Sequence, residues 1–178
     1  MGAALSRAEV RVLLDGPGAS CTLNGLYLVD GGRQADCPTF IDHAEPHGTS
    51  EQVYKGIVHG RSRGVFYGRI RVRPGAQRTD AHQHNHNLLL SREAEADTRP
   101  QLQIDADDVQ CAHGATVGRL DEAALFYLRA RGIAPEAAQS LLTHAFAVDI
   151  VDRVELASVR PQLLSALCGW LTHCLGHG

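Results

Sequence analysis

Gly64-Val65-Phe66-Tyr67-Gly68-Arg69-Ile70-Arg71-Val72-Arg73 alternates with a period of two. Val65, Tyr67, Arg69, Arg71 and Arg73 face one way; Phe66, Ile70 and Val72 face the other, with Gly68 between them. That is the pattern of a half-buried strand. Comparable runs flank it: Val10 to Leu14, Gly25 to Val29, Thr39 to His43, Gln52 to Val58, Ala81 to Leu90 and Pro100 to Ile104. Gly16-Pro17-Gly18, Gly31-Gly32, Gly60 and Pro74-Gly75 punctuate them as turns. No long helical period precedes residue 120. Strands without intervening helices suggest a sandwich, a barrel or a parallel β-helix, and periodicity alone does not separate the three.

Beyond residue 120 the pattern turns helical. Asp121 suits the cap of a helix from Glu122 to Arg131, with Gly132 placed to end it. Pro135 suits the first turn of a second helix through Leu141, Leu142 and Phe146. Ser158 is placed to cap a third, in which Leu163, Leu164, Leu167, Trp170, Leu171 and Cys174 share a face. The expected organisation is therefore a β body over 1–118 and a helical appendage over 119–178.

Among the 178 residues, 44% are hydrophobic, enough for one domain with a sizeable core. The formal charge of −3 argues against a nucleic-acid binder of strongly basic type. No apolar run approaches the roughly 18 residues that span a bilayer, so no membrane association is expected. Met1-Gly2-Ala3-Ala4-Leu5-Ser6 fits only a loose acylation pattern. The five cysteines, 21, 37, 111, 168 and 174, form no CxxC pair and read as reduced thiols of a cytoplasmic protein. Neither a P-loop, GxSxG nor HExxH occurs.

Four places carry candidate chemistry. His82, His84 and His86 fall at i, i+2, i+4, on one face of a strand, with neighbours about 7 Å apart. Three imidazoles suit zinc, iron or copper. Cys111 and His113 likewise share a face if extended, a thiol and an imidazole able to ligate a metal or form a nucleophile pair. Lys55, Arg61, Arg63, Arg69, Arg71, Arg73 and Arg78 form a basic stretch without an acid, readable as a phosphate site or as one arginine face of a sheet. His173, Cys174 and His177 make a smaller terminal cluster.

Long segments, in order, resemble the SufB/SufD family of iron–sulfur cluster assembly scaffolds, on its SufD side. They include Tyr54-Lys55-Gly56-Ile57-Val58, Gly64 to Ile70, Pro74 to Ala81, Asn87-Leu88-Leu89-Leu90-Ser91 and Ala94 to Leu102. They continue through Ala106-Asp107-Asp108-Val109-Gln110-Cys111-Ala112-His113-Gly114-Ala115-Thr116-Val117-Gly118 to Tyr127-Leu128-Arg129. The resemblance spans about residues 8–155. It implies a right-handed parallel β-helix with a helical appendage, and a scaffold rather than an enzyme. It also implies two partners, a SufB-like subunit and a SufC-like ABC ATPase. Cys111 and His113 match the pair at the cluster-assembly interface. The helices over 121–131 and 136–155 match the ATPase-docking part, with Phe126, Tyr127, Arg129 and Phe146 as contact candidates. No cofactor is then expected to stay bound to the chain alone; an iron–sulfur cluster would be held transiently against the SufB-like partner.

Two features depart from the family pattern. The chain reads as N-terminally truncated, which would leave its first coil an uncovered strand edge. The histidine-rich stretch at 82–86 is not a family feature. It keeps one alternative open, a β-helical or cupin-like metal-binding enzyme using His82, His84 and His86.

Overall fold

The computed structural model describes residues 3–175; Met1 and Gly2 of the acylation pattern, and His177, lie outside them. Nine strands precede three helices: β1 (Leu5–Arg7), β2 (Val10–Leu14), β3 (Ser20–Val29), β4 (Gln34–His43), β5 (Thr49–Val58), β6 (Arg63–Val72), β7 (Asp80–Leu89), β8 (Glu95–Ile104), β9 (Gln110–Gly118), α1 (Glu122–Ala130), α2 (Pro135–Asp152) and α3 (Arg160–Leu175). One sheet runs β1-β4-β6-β8, with β2 also on β4; the other runs β3-β5-β7-β9. Every pairing is parallel. The chain changes sheet at each corner and returns one rung further on. This is a parallel β-helix of about four turns, the choice that periodicity left open.

The lumen is packed unevenly. Leu14, Ile41, Ile70, Val72 and Ala81 form an apolar cluster towards one side. Tyr27, Cys37, Tyr54 and Phe66 form another, with the Tyr54 and Phe66 rings 5.1 Å apart. Burial beside Asp36 pushes the Cys37 thiol up to about 11, so it serves as packing. Strand glycines are explained by rings and amides. Gly25 lies against Tyr54, Gly56 and Gly64 against Tyr27, and Gly68 against Gln83, each so closely that a Cβ would overlap its neighbour.

Polar groups are also buried in the lumen. Gln52 Nε2 donates to Thr39 Oγ1 at 2.6 Å, and Gln83 Nε2 donates to Gln52 Oε1 at 2.7 Å. The Tyr27 hydroxyl bonds Asn87 Oδ1, and Asn87 Nδ2 donates to Asn85 Oδ1 at 2.6 Å. The β7 alternation is thus amide-in, imidazole-out: Gln83, Asn85 and Asn87 are buried while His82, His84 and His86 stand on the opposite face.

His43 is fully buried, its Nε2 is 2.9 Å from Ser50 Oγ, and its Nδ1 has no partner. Burial lowers its proton affinity, opposed in part by Asp42. The unfolded chain therefore takes up this proton at higher pH than the folded one. The His43 contribution is complete above about pH 6.5 and is lost as pH falls through that value towards the folded one. Urea midpoints are expected to fall between about pH 7 and pH 5, and less steeply in His43→Asn. Equal slopes in the two proteins would contradict this account.

The basic stretch resolves as an arginine face. Arg63 Nε donates to Asp97 Oδ2 at 2.7 Å, Tyr67 to Gln101 Oε1 at 2.8 Å, and Arg69 to Gln103, all 34 residues on. Arg73 binds Asp42 through two nitrogens, at 2.9 and 3.1 Å. These arginines tie β6 to β8 and β4.

The helices begin where capping chemistry places them, with one exception. Asp121 accepts from Ala123 N at 2.8 Å, and Gly132 has φ +86° just past α1. Pro135 opens α2. Ser158, expected to cap the third helix, lies in the turn before it. The first helical bond runs from Leu163 N to Val159 O, so Val159 holds the cap position. Ala147, Leu167 and Leu171 share an apolar cluster with Ile57 and Leu88 on the outer face of the second sheet. No helix among the described residues is long and apolar enough to cross a membrane.

Candidate functional site

Cys111 and His113 lie on β9, the last strand of its sheet. Register sets Cys111 beside Ala81 and His113 beside Gln83, both of which are buried in the lumen. The two side chains thus take the inward parity of the final coil. Cys111 is half-buried against the apolar cluster around Ile70 and Val72. His113 is exposed, because among the described residues no strand pairs with the outer edge of β9. β8 ends the other sheet in the same way, so both sheets present unpaired backbone groups at this end of the solenoid.

Burial, reinforced by Asp80, holds the Cys111 thiol above its usual range despite a backbone hydrogen bond from Ala81. Cys111 is therefore a protonated thiol in the chain alone. Ligation of a soft metal or of a sulfide intermediate would release that proton. A thiolate and an imidazole on one strand face form a donor set suited to iron.

The three histidines of β7 do not converge. Neighbouring same-face residues on a straight strand stay about 7 Å apart, and two of these rings have other partners. His82 Nε2 sits 2.8 Å from Asp80 Oδ1, and His86 Nδ1 is 2.9 Å from Thr116 Oγ1. His84 and His86 stack in parallel, centroids 6.2 Å apart. Burial first, then Lys55 and His84, lower the proton affinity of His86. Among the described residues no group of three His, Cys, Asp or Glu is arranged to hold a metal ion. Of the terminal cluster, Cys174 Sγ donates to Asp30 Oδ2 at 2.6 Å, and His177 lies outside the described residues.

Of the four helical contact candidates, three face outward. Phe126 is 74% exposed and Tyr127 55%, adjacent on α1, and Arg129 is exposed in its last turn. Arg131 lies over the Tyr127 ring at 5.0 Å. Phe146, grouped with them on sequence, instead turns towards the solenoid. Lys55 Nζ sits 4.6 Å from its ring centroid and donates to its carbonyl at 2.9 Å. Lys55 also pairs with Asp149 at 2.8 Å, which pins α2 to β5. Sequence reasoning gave Lys55 no such role, although its being the lone lysine was a visible signal.

The model of the SufBD core domain of the SUF system for FeS cluster assembly matches residues 1–146. The chain belongs to the SufB/SufD family. It is 38% identical over 167 residues to the iron–sulfur cluster assembly protein SufD of Escherichia coli (strain K12), covering 94% of this chain and 40% of that protein. A SufBD family protein of Synechocystis is 39% identical over 163 residues, covering 92% of this chain and 36% of its own length. SufD of Bacillus subtilis is 36% identical over 112 residues, covering 63% and 26%. This SufB/SufD-family chain thus spans less than half the length of the curated relatives it matches.

Proposed function

We propose that this chain is a SufD-like, non-enzymatic scaffold in iron–sulfur cluster assembly, working in the cytoplasm. The observation that carries the reading is the position of Cys111 and His113 on β9, the open terminal strand of a family solenoid. A homologous SufB-like subunit would extend the sheets across the β8 and β9 edges, since unpaired strand edges recruit strands. The nascent cluster is cargo held between the subunits. Cys111 supplies a soft sulfur once its proton leaves, and His113 supplies an imidazole. A SufC-like ATPase would dock on the exposed aromatic face of α1, and motion there would reach the solenoid through α2 and its Lys55 anchor.

The test is reconstitution with a SufB-like subunit and the ATPase, supplied with iron, sulfide source and ATP. His113→Ala and the Cys111→Ala, His113→Ala pair are expected to reduce cluster formation at least about tenfold, as loss of ligands or their support typically does. Because both side chains border solvent at the coil end, thermal unfolding should change little. Full cluster yield from the double variant would reject the assignment.

A further inference from the structure

The amide ladder in the lumen stops one rung short of His113. Thr39, Gln52 and Gln83 are fully buried on β4, β5 and β7. Each amide nitrogen is committed elsewhere: Gln52 to Thr39 across the lumen of its own coil at 2.6 Å, and Gln83 to Gln52 on the preceding rung at 2.7 Å. With its nitrogen so engaged, Gln83 has its Oε1 directed elsewhere, and that oxygen is buried without a hydrogen-bond partner. A buried, unsatisfied carbonyl is uncommon and destabilising. Gly68 backs the same amide so closely that a Cβ would overlap its nitrogen, so the side chain is boxed in. Thr98 Oγ1 on β8 is a second buried oxygen without a partner, so the two do not satisfy one another. On the next rung of the second sheet, the residue in register with Gln83 is His113.

We infer that Gln83 is a positioning residue for His113: its Oε1, unpartnered while the ring stands exposed, accepts an N–H when the imidazole turns inward over the coil end, and so fixes which ring nitrogen carries the proton. The other nitrogen then keeps its lone pair for a ligand outside the lumen. Metal-binding histidines are routinely oriented in this way by an acceptor behind the ring. The hydrogen bonds through Gln52 to Thr39 hold the acceptor against both sides of the preceding coil. The significance for cluster assembly rests on the function proposed above; the hydrogen bond itself does not.

The experiment is imidazole nitrogen NMR on the full chain labelled at histidine, at a pH where the ring is neutral. Wild type should show His113 in one tautomer by about tenfold, the preference that a single hydrogen bond of roughly 1.4 kcal/mol maintains. Gln83→Met should return this to the ratio of a free histidine side chain, and Gln52→Met, acting one rung away, should weaken it. Thr98→Val should leave it unchanged. Thermal unfolding of each variant establishes that the solenoid is intact. An averaged tautomer in wild type overturns the inference without any variant, and so does an unchanged preference in folded Gln83→Met. If the tautomer answers to Gln83 while His113→Ala leaves reconstituted cluster yield intact, the functional reading fails and the positioning contact stands.

Discussion

Gly56→Ala is expected to destabilise the solenoid by about 3 kcal/mol or more, because the added methyl would overlap the Tyr27 ring and Asn87 Oδ1. Both neighbours are buried and bonded to one another, so neither moves without breaking the Tyr27–Asn87 hydrogen bond. For a chain of this length that is a fall in Tm of roughly 10 °C. Gly75→Ala is the control: nothing lies within 4 Å of a Cβ there, and a change within about 0.5 kcal/mol is expected. Shortening the opposing ring, as in Gly56→Ala with Tyr27→Leu, should recover part of the loss if the clash is the cause. Scanning calorimetry on the four proteins decides it. Equal Tm values for wild type and Gly56→Ala would mean that the rung relaxes around the extra carbon.

Phe126→Asp with Tyr127→Asp is expected to abolish binding of a SufC-like ATPase while leaving the fold intact. The two rings are exposed and adjacent, so they carry no core packing, and the docking face proposed above is built on them. Loss of two aromatic anchors costs about 2 kcal/mol or more each, which weakens a micromolar complex by roughly a thousandfold. Phe146→Ala should behave oppositely, lowering stability through the lost contact with Lys55. Titration calorimetry of the ATPase into each variant reads the difference. Undiminished heat from the double variant would remove α1 as the docking face.

The β6 strand was legible because its two faces differ in hydropathy, and the structure buries Phe66, Ile70 and Val72 as the alternation required. The first half of β8 was not. Outward Glu95, Asp97 and Arg99 alternate with Ala96 and Thr98, too small or polar to mark an inward face. β1 contains three exposed residues and is held by pairing with β4, a contact no local pattern encodes. The β7 histidines draw the eye by composition, yet the inward face is made of buried amides: Gln83 meets Gln52 on the preceding rung, and Asn87 meets Asn85 two residues along the same strand. Choosing the β-helix over a sandwich required pairing between residues about 30 apart. The family resemblance supplied that information, and alternation did not. Cys111 and His113 were visible as a pair, but their place on an open edge belongs to sheet order.

The lone lysine gives this protein an unusual chemical handle. Reagents that acylate side-chain amines have one target here, and it is covered: Lys55 is 8% exposed and held by a carbonyl and a carboxylate of α2. Its rate of modification therefore counts how often α2 lifts from β5, a local opening that leaves the rest of the solenoid folded. A pulse of such a reagent, followed by mass analysis, would act as a clock on that single hinge, and a partner that pulls on or clamps the helices would change its speed.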